Sequence, residues 1–300
     1  MQELSTAQRF GAGRDPEFTL PQYTTKINGL TTVFFDTGGD KPVLLFVHGL
    51  AGNATHWVHI APKLQDRYRV VGLDLPGCGE SESPVDRMSV AFYVAHIREL
   101  LEVLEITNAA FIGHSLGGMI STEFALHYPD ICTQIILVSP AGFLAMPAPI
   151  RALGHLFLRP ALLNPVLPRT WRQLLAYAFG QSNPYTKHFI EVQAASEAAG
   201  DVAAIIGGVS RVMSDLRPDF LSKCFLTHLD TIEQPVAMIW GDRDRLVPSR
   251  GLRRAAQAMP SARLLELPKC GHLPLIELPN ELLRFVEESL SDAGLPAIAT

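Results

Sequence analysis

A serine with glycine two residues to either side, in Gly113-His114-Ser115-Leu116-Gly117, stands where a short apolar run at 109–112 gives way to a helical pattern. A strand that turns into a helix within a couple of residues strains the backbone at the apex, and glycines at those two places remove side chains that would collide. The apex hydroxyl is then held above the end of a sheet, and the N–H of Leu116 points from the start of a helix toward any negative oxygen formed beside it. A serine hydroxyl is a poor nucleophile at neutral pH unless a base takes its proton. Of ten histidines, His272 fits that role, because Cys270-Gly271-His272-Leu273-Pro274 directly follows the last strand-like run. His96 and His127 fall in helical patterns, His114 is expected to point off another side of the turn, and His48 is expected to pin its own loop. An imidazole used in this way needs a buried acceptor on its other nitrogen. Gly241-Asp242-Arg243-Asp244-Arg245-Leu246-Val247-Pro248 closes the preceding strand-like run and offers two aspartates, between which spacing does not choose. A further turn, His48-Gly49-Leu50-Ala51-Gly52, follows the apolar run 42–47, and its Leu50 N–H is expected to be the second donor to an oxyanion. Each such donor is worth about 3 kcal/mol of transition-state stabilisation.

These turns lie far apart in sequence, so a sheet must bring them together. Residues 22–27 and 30–35 flank Asn28-Gly29 and read as a hairpin. The run 42–47 is apolar throughout, as a strand buried on both faces should be. Residues 68–74, 109–112, 133–138, 236–240 and 262–267 complete eight strands. Helices are expected over 54–64, from Ser89 to 104, from the serine turn to about 128, around 252–259, and over 278–290 with Pro279 in the first turn. Such alternation means an α/β fold, a mostly parallel eight-stranded sheet with helices on both faces. From 143 to 230 the rhythm stops, and Pro147, Pro149, Pro160, Pro165, Pro168, Pro184 and Pro218 separate short helical patterns such as 171–179 and 189–199. The expectation is a core of residues 1–142 and 231–300 with a helical cap, 143–230, inserted over the serine. The apolar stretch 153–163 is expected to shape an apolar substrate channel, and residues 1–20 to form a loose lead-in.

With 300 residues, 47% hydrophobic and 18% charged, the chain can bury one large core. A net charge of −5, with no basic run interleaved with aromatics, argues against nucleic acid as a partner. Small neutral or apolar substrates fit better. The first residues lack a basic and then apolar leader, and no uninterrupted apolar run reaches the roughly 18 residues of a membrane span. The four cysteines, Cys78, Cys132, Cys224 and Cys270, are scattered without C-x-x-C spacing, as reduced thiols of a cytoplasmic protein would be. Neither a cofactor nor a metal is expected, and the oligomeric state is left open.

Taken together, the three motifs resemble the α/β-hydrolase superfamily in its capped, serine-nucleophile branch, over nearly the whole chain. The family pattern G-x-x-D-x-x-V-P falls on Gly241, Asp244, Val247 and Pro248, so the resemblance implies Asp244 in place of Asp242 as the orienting acid. It also implies Ser115 as nucleophile, His272 as base, and Leu50 and Leu116 as oxyanion donors, in the chain order Ser, acid, His. Epoxide hydrolases and haloalkane dehalogenases of this fold carry an aspartate where Ser115 stands. Ring-cleavage C–C hydrolases usually have Asn at the place of His114 and Trp at that of Leu273, and cofactor-free haloperoxidases often have Met at that of Leu116. What remains is an esterase-like or lipase-like hydrolase that cleaves a carboxylic ester of a small to medium apolar substrate through an acyl-enzyme. The alternative is a C–C bond hydrolase acting on a vinylogous diketone, or a lactone or thioester hydrolase.

Overall fold

Side chains alternate strictly along the inner strands, and that alternation makes two cores, one on each face of the sheet. In β4 (Val43–Val47), Leu45 and Val47 enter one core while Leu44 and Phe46 enter the other. The same division runs through β6 (Ala109–His114), β7 (Cys132–Val138) and β8 (Val236–Gly241), where Phe111, Leu137 and Trp240 oppose Ile112, Val138 and Ile239. The helices Val90–Val103, Leu116–His127 and Arg250–Ala258 cover the first face, and Ala61–Leu64 and Pro279–Asp292 cover the second. Each large aliphatic or aromatic side chain so buried contributes about 1.5–3 kcal/mol.

This computed structural model describes residues 2–3, 14–144, 147–149, 151, 160–163, 167–198, 202–222, 224–259 and 262–294. The eight expected strands are present, and a two-residue strand, β1 (Gln2–Glu3), extends the sheet at one edge. Next come β2 (Gln22–Ile27), β3 (Leu30–Asp36) and β5 (Arg69–Leu73), and the sheet order is β1-β2-β3-β5-β4-β6-β7-β8-β9, closing with β9 (Arg263–Leu267). Pairing is antiparallel from β1 through β3 to β5 and parallel from β5 onward. The β2–β3 turn is Asn28-Gly29, with φ of 48° and 80°, the left-handed pair that a tight hairpin needs. In the parallel part, Val47 lies opposite Gly113, His114 opposite Val138, and Gly241 opposite Leu267. The carboxyl ends of the inner strands therefore share one rim, where ligands of open α/β sheets bind.

Two expectations about this core change. The helix over 54–64 is a 3₁₀ turn, Ala54–Trp57, and a separate helix, Ala61–Leu64. Pro62 explains the break, since its ring would clash with the carbonyl four residues earlier. Residues 14–20 are not loose. Arg14 and Asp74 form a buried ion pair, Phe18 stacks 5.1 Å from Phe35, and Leu20 is buried.

Between β7 and β8 the described residues form the helices Pro160–Leu163, Leu167–Ala178, Pro184–Ala198, Val202–Asp215 and Arg217–Ser222. Most of the apolar stretch 153–163 lies outside the described residues. No helix among the described residues is long and apolar enough to cross a membrane.

Candidate active site

Ser115 joins β6 to the helix Leu116–His127 with φ 52° and ψ −112°, a left-handed conformation that costs a non-glycine residue about 1–3 kcal/mol. The turn is held by the Ser115 N–H donating to the Val138 carbonyl at 3.0 Å and the Met119 N–H donating to the Ser115 carbonyl at 3.1 Å. Its glycines are demanded by contact. A Cβ on Gly117 would lie 2.1 Å from the Val47 carbonyl oxygen, and one on Gly113 2.5 Å from the Gly117 carbonyl oxygen. Leu116 opens the helix, so its N–H is among those a helix leaves without an internal acceptor.

The turn after β4 packs directly on this elbow, since a Cβ on Gly49 would come within 3.1 Å of the Ser115 Cβ. His48 pins that turn. The Leu75 N–H donates to its Nε2 at 2.9 Å, so Nδ1 carries the proton and donates to the Gly49 carbonyl at 2.7 Å. Burial holds the His48 pKa below the usual imidazole value, which keeps the ring neutral.

His272 reaches the elbow from the loop after β9. Its Nε2 lies 2.9 Å from Ser115 Oγ and its Nδ1 lies 2.7 Å from Asp244 Oδ2. Asp244 accepts three further hydrogen bonds, from the N–H groups of Leu246 at 2.9 Å and Val247 at 2.8 Å and from Trp240 Nε1 at 3.2 Å. All three side chains are buried, whereas Asp242 faces solvent. The chain thus brings Ser115, Asp244 and His272 into one hydrogen-bonded line. Nothing comparable surrounds the buried thiols of Cys78 and Cys132, which burial pushes up to about 12.

A family model described as the alpha/beta hydrolase fold matches residues 42–279, a span that holds the elbow, the turn after β4 and both of the later loops. The chain belongs to the alpha/beta hydrolase family. It is 30% identical over 279 residues to an uncharacterized protein of Mycobacterium tuberculosis, covering 88% of this chain and 79% of that one. It is 25% identical over 271 residues to the monoacylglycerol lipase of Mus musculus, covering 84% and 76% of the two chains. In fold it resembles the solved structure of a membrane phospholipase A, with a TM-score of 0.78 at 24% identity over 93% of this chain and 88% of the other.

Around the hydrolase's central line stand residues that the sequence did not single out. His114, expected to point off another side of the turn from Ser115, donates from Nε2 to the His272 carbonyl at 2.8 Å, because the loop after β9 folds back over the strand ends. Burial first, and the neighbouring His272 ring second, keep His114 far below the ordinary imidazole pKa and therefore neutral. Trp240, at the end of β8, divides its indole N–H between Asp244 and the Val247 carbonyl, at 3.2 and 2.7 Å. Glu277 is buried behind the His272 loop and accepts the Gly271 N–H at 2.8 Å. One side-chain group among the described residues could hold a metal ion, Asp15, Glu17 and His188, whose ligand atoms lie within 4.8 Å of one another. It shares no residue with the Ser115 line, and His188 Nε2 is already 3.1 Å from Asp15 Oδ2.

Proposed function

We propose that this α/β hydrolase cleaves a carboxylic ester of a small to medium apolar substrate through a covalent acyl-enzyme on Ser115. The reading rests on the imidazole of His272, 2.9 Å from the serine hydroxyl on one side and 2.7 Å from a buried carboxylate on the other. As Ser115 Oγ bonds to the acyl carbon, its proton passes to His272 Nε2, and the carbonyl electron pair moves onto oxygen. The N–H groups of Leu50 and Leu116 receive that oxyanion. Asp244 holds His272 Nδ1–H and stabilises the imidazolium. When the tetrahedral adduct collapses, the ester C–O bond breaks and the leaving alcohol takes the proton from Nε2. Water then loses a proton to the same nitrogen as its oxygen attacks the acyl carbon, and expulsion of Ser115 Oγ returns the proton to serine.

In the same proposal, residues 143–230 are a cap over a core of 1–142 and 231–300, and its underside selects the substrate. Ile206 and Val209, both buried, pack with Leu174, Leu175 and Met213 against Leu50 and Ala51 of the turn after β4. Apolar side chains beside a donor loop suit an aliphatic acyl chain or alcohol. Similarity to a monoacylglycerol lipase points the same way. The exposed acid Asp242 takes no part in the reaction.

Labelling with a fluorophosphonate probe, alongside hydrolysis of p-nitrophenyl esters of graded chain length, tests the reading. Wild-type protein should label and Ser115→Ala should not, while its circular dichroism stays native. Labelling that persists in Ser115→Ala would overturn the assignment.

A further inference from the structure

Glu277 ends the short helix Pro274–Glu277 and is almost fully buried, with no cation among the described residues paired with its carboxylate. Its Oε1 accepts the N–H of Gly271, the residue before His272, at 2.8 Å. Its Oε2 accepts the N–H groups of Gly180 at 2.8 Å and Gln181 at 3.3 Å. One carboxylate therefore bridges two backbones far apart in sequence, the loop that carries His272 and the corner between the helices Leu167–Ala178 and Pro184–Ala198. More bonds run across the same seam. The His272 N–H donates to the Ala178 carbonyl at 2.7 Å, Asn183 Nδ2 donates to the Glu277 carbonyl at 2.7 Å, and Arg243 Nη1 donates to the Gly180 carbonyl at 3.1 Å. The backbones touch, since a Cβ on Gly271 would lie 2.2 Å from the Ala178 carbonyl oxygen and 2.5 Å from the Gly180 nitrogen.

A loop that needed only an anchor could take one from the sheet beneath it. Here the sheet side holds the turn's carbonyls, with His114 Nε2 donating to the His272 carbonyl and the Arg243 N–H to the Cys270 carbonyl, while its two N–H groups, at 271 and 272, both bond across the seam, to Glu277 and to the Ala178 carbonyl. We infer that Glu277 is a positioning residue that locks the backbone of His272 to the corner at 178–181, so that the base is aligned with Ser115 only while that corner is seated. The inference rests on the proposed reaction, in which His272 is the base. It assigns Glu277 no contact with substrate. Burial raises the carboxyl pKa, against the backbone N–H groups that lower it. A glutamine in its place keeps the size but offers one acceptor where two are used and turns an NH₂ toward a backbone N–H.

The test compares Glu277→Gln with wild type in three measurements: ester hydrolysis, the rate of fluorophosphonate labelling, and the low-field proton resonance of His272 Nδ1–H, assigned by its loss in Asp244→Asn. Misplacement of a catalytic group by about 1 Å lowers rates by about 100-fold. Glu277→Gln should therefore lose about that much in kcat and in labelling rate with KM nearly unchanged, and its low-field resonance should broaden or shift. Asn183→Asp is the second variant. It keeps the side-chain oxygen that caps Thr186 but removes the donor to the Glu277 carbonyl, and it should lower kcat several-fold in the same pattern. A Glu277→Gln protein that melts earlier yet keeps the wild-type kcat and resonance would show Glu277 to be scaffolding only and overturn the inference alone. If Glu277→Gln does not fold, an unchanged kcat and resonance in Asn183→Asp overturns it. A wild-type protein that never labels would remove the proposed reaction and this inference together.

Discussion

The rim of the sheet and the helical segment between β7 and β8 meet at the Ser115 site, and away from the seam at 178–183, which directed bonds close, they are built on different rules. At the rim, buried polar groups are tied by directed bonds: Asp244 accepts four, His48 is fixed at both nitrogens, and Ser115 is strained into position. The helical segment keeps large apolar side chains at its surface, with Leu162 44%, Tyr177 49% and Ile190 42% exposed, and meets the Leu50 turn through the Ile206 and Val209 cluster. Directed bonds fix atoms to within tenths of an ångström, whereas apolar contact is proportional to area and has no direction. Under the proposed function, the rim sets the rate and the segment sets what fits.

That contrast breaks most visibly at the rim. Asp244→Asn should lower kcat by about 10⁴-fold, because the imidazole loses the partner that holds its tautomer. Asp242→Asn, at an exposed position two residues away in the same loop, should leave kcat within about twofold, and kinetics showing the reverse order would mean that the wrong aspartate orients His272. Next in size, Gly117→Ala drives a methyl into the Val47 carbonyl and should cost about 3 kcal/mol of stability by urea unfolding. A change of less than a few tenths would show that the elbow yields.

Acid sensitivity should belong to the sheet, too. Burial lowers His96 to about 4 and His56 to about 3, and both lie in or beside the core, whereas His188 and His228 of the segment are partly or fully exposed. The unfolded chain protonates these imidazoles near pH 6.5 and the folded chain only near 4 or below, so stability is complete above about pH 6.5 and falls as pH drops toward 4. Unfolding at pH 5 should be easier than at pH 7.5 by about 2 kcal/mol for each of these two histidines, about 4 kcal/mol together, and a flat profile would contradict neutral burial. The smallest effect is expected in the segment. Val209→Phe crowds the space beside Leu50 and should raise KM for long-chain esters roughly tenfold while kcat changes little. A loss in kcat instead would erase the division of labour.

The same contrast governs what could be read from the sequence. The rim announces itself because each part is a local pattern. Gly113 and Gly117 bracket a serine, Asn28-Gly29 makes a hairpin, and Gly271-His272 follows the last strand. Asp244 needed the family resemblance, since its distinction from Asp242 is burial, which spacing does not encode. The segment showed as a stop in the strand–helix rhythm and as short helical patterns between prolines, two of which fall within the helices Leu167–Ala178 and Pro184–Ala198 to within a residue or so at their ends. Glu277 and His114 were missed for another reason. Their partners are backbone groups 97 and 158 residues away, and a backbone N–H or C=O has no letter in the sequence. Phe18 and Arg14 turned an expected loose lead-in into packed chain in the same way, through Phe35 and Asp74.

The most direct measurement is to mix the protein with a p-nitrophenyl ester, quench within milliseconds, and locate any acyl adduct by peptide mass spectrometry. The account predicts a burst of p-nitrophenol with the acyl group on Ser115, and neither burst nor adduct in Ser115→Ala. Turnover without an adduct, or an adduct on any other residue, would contradict it.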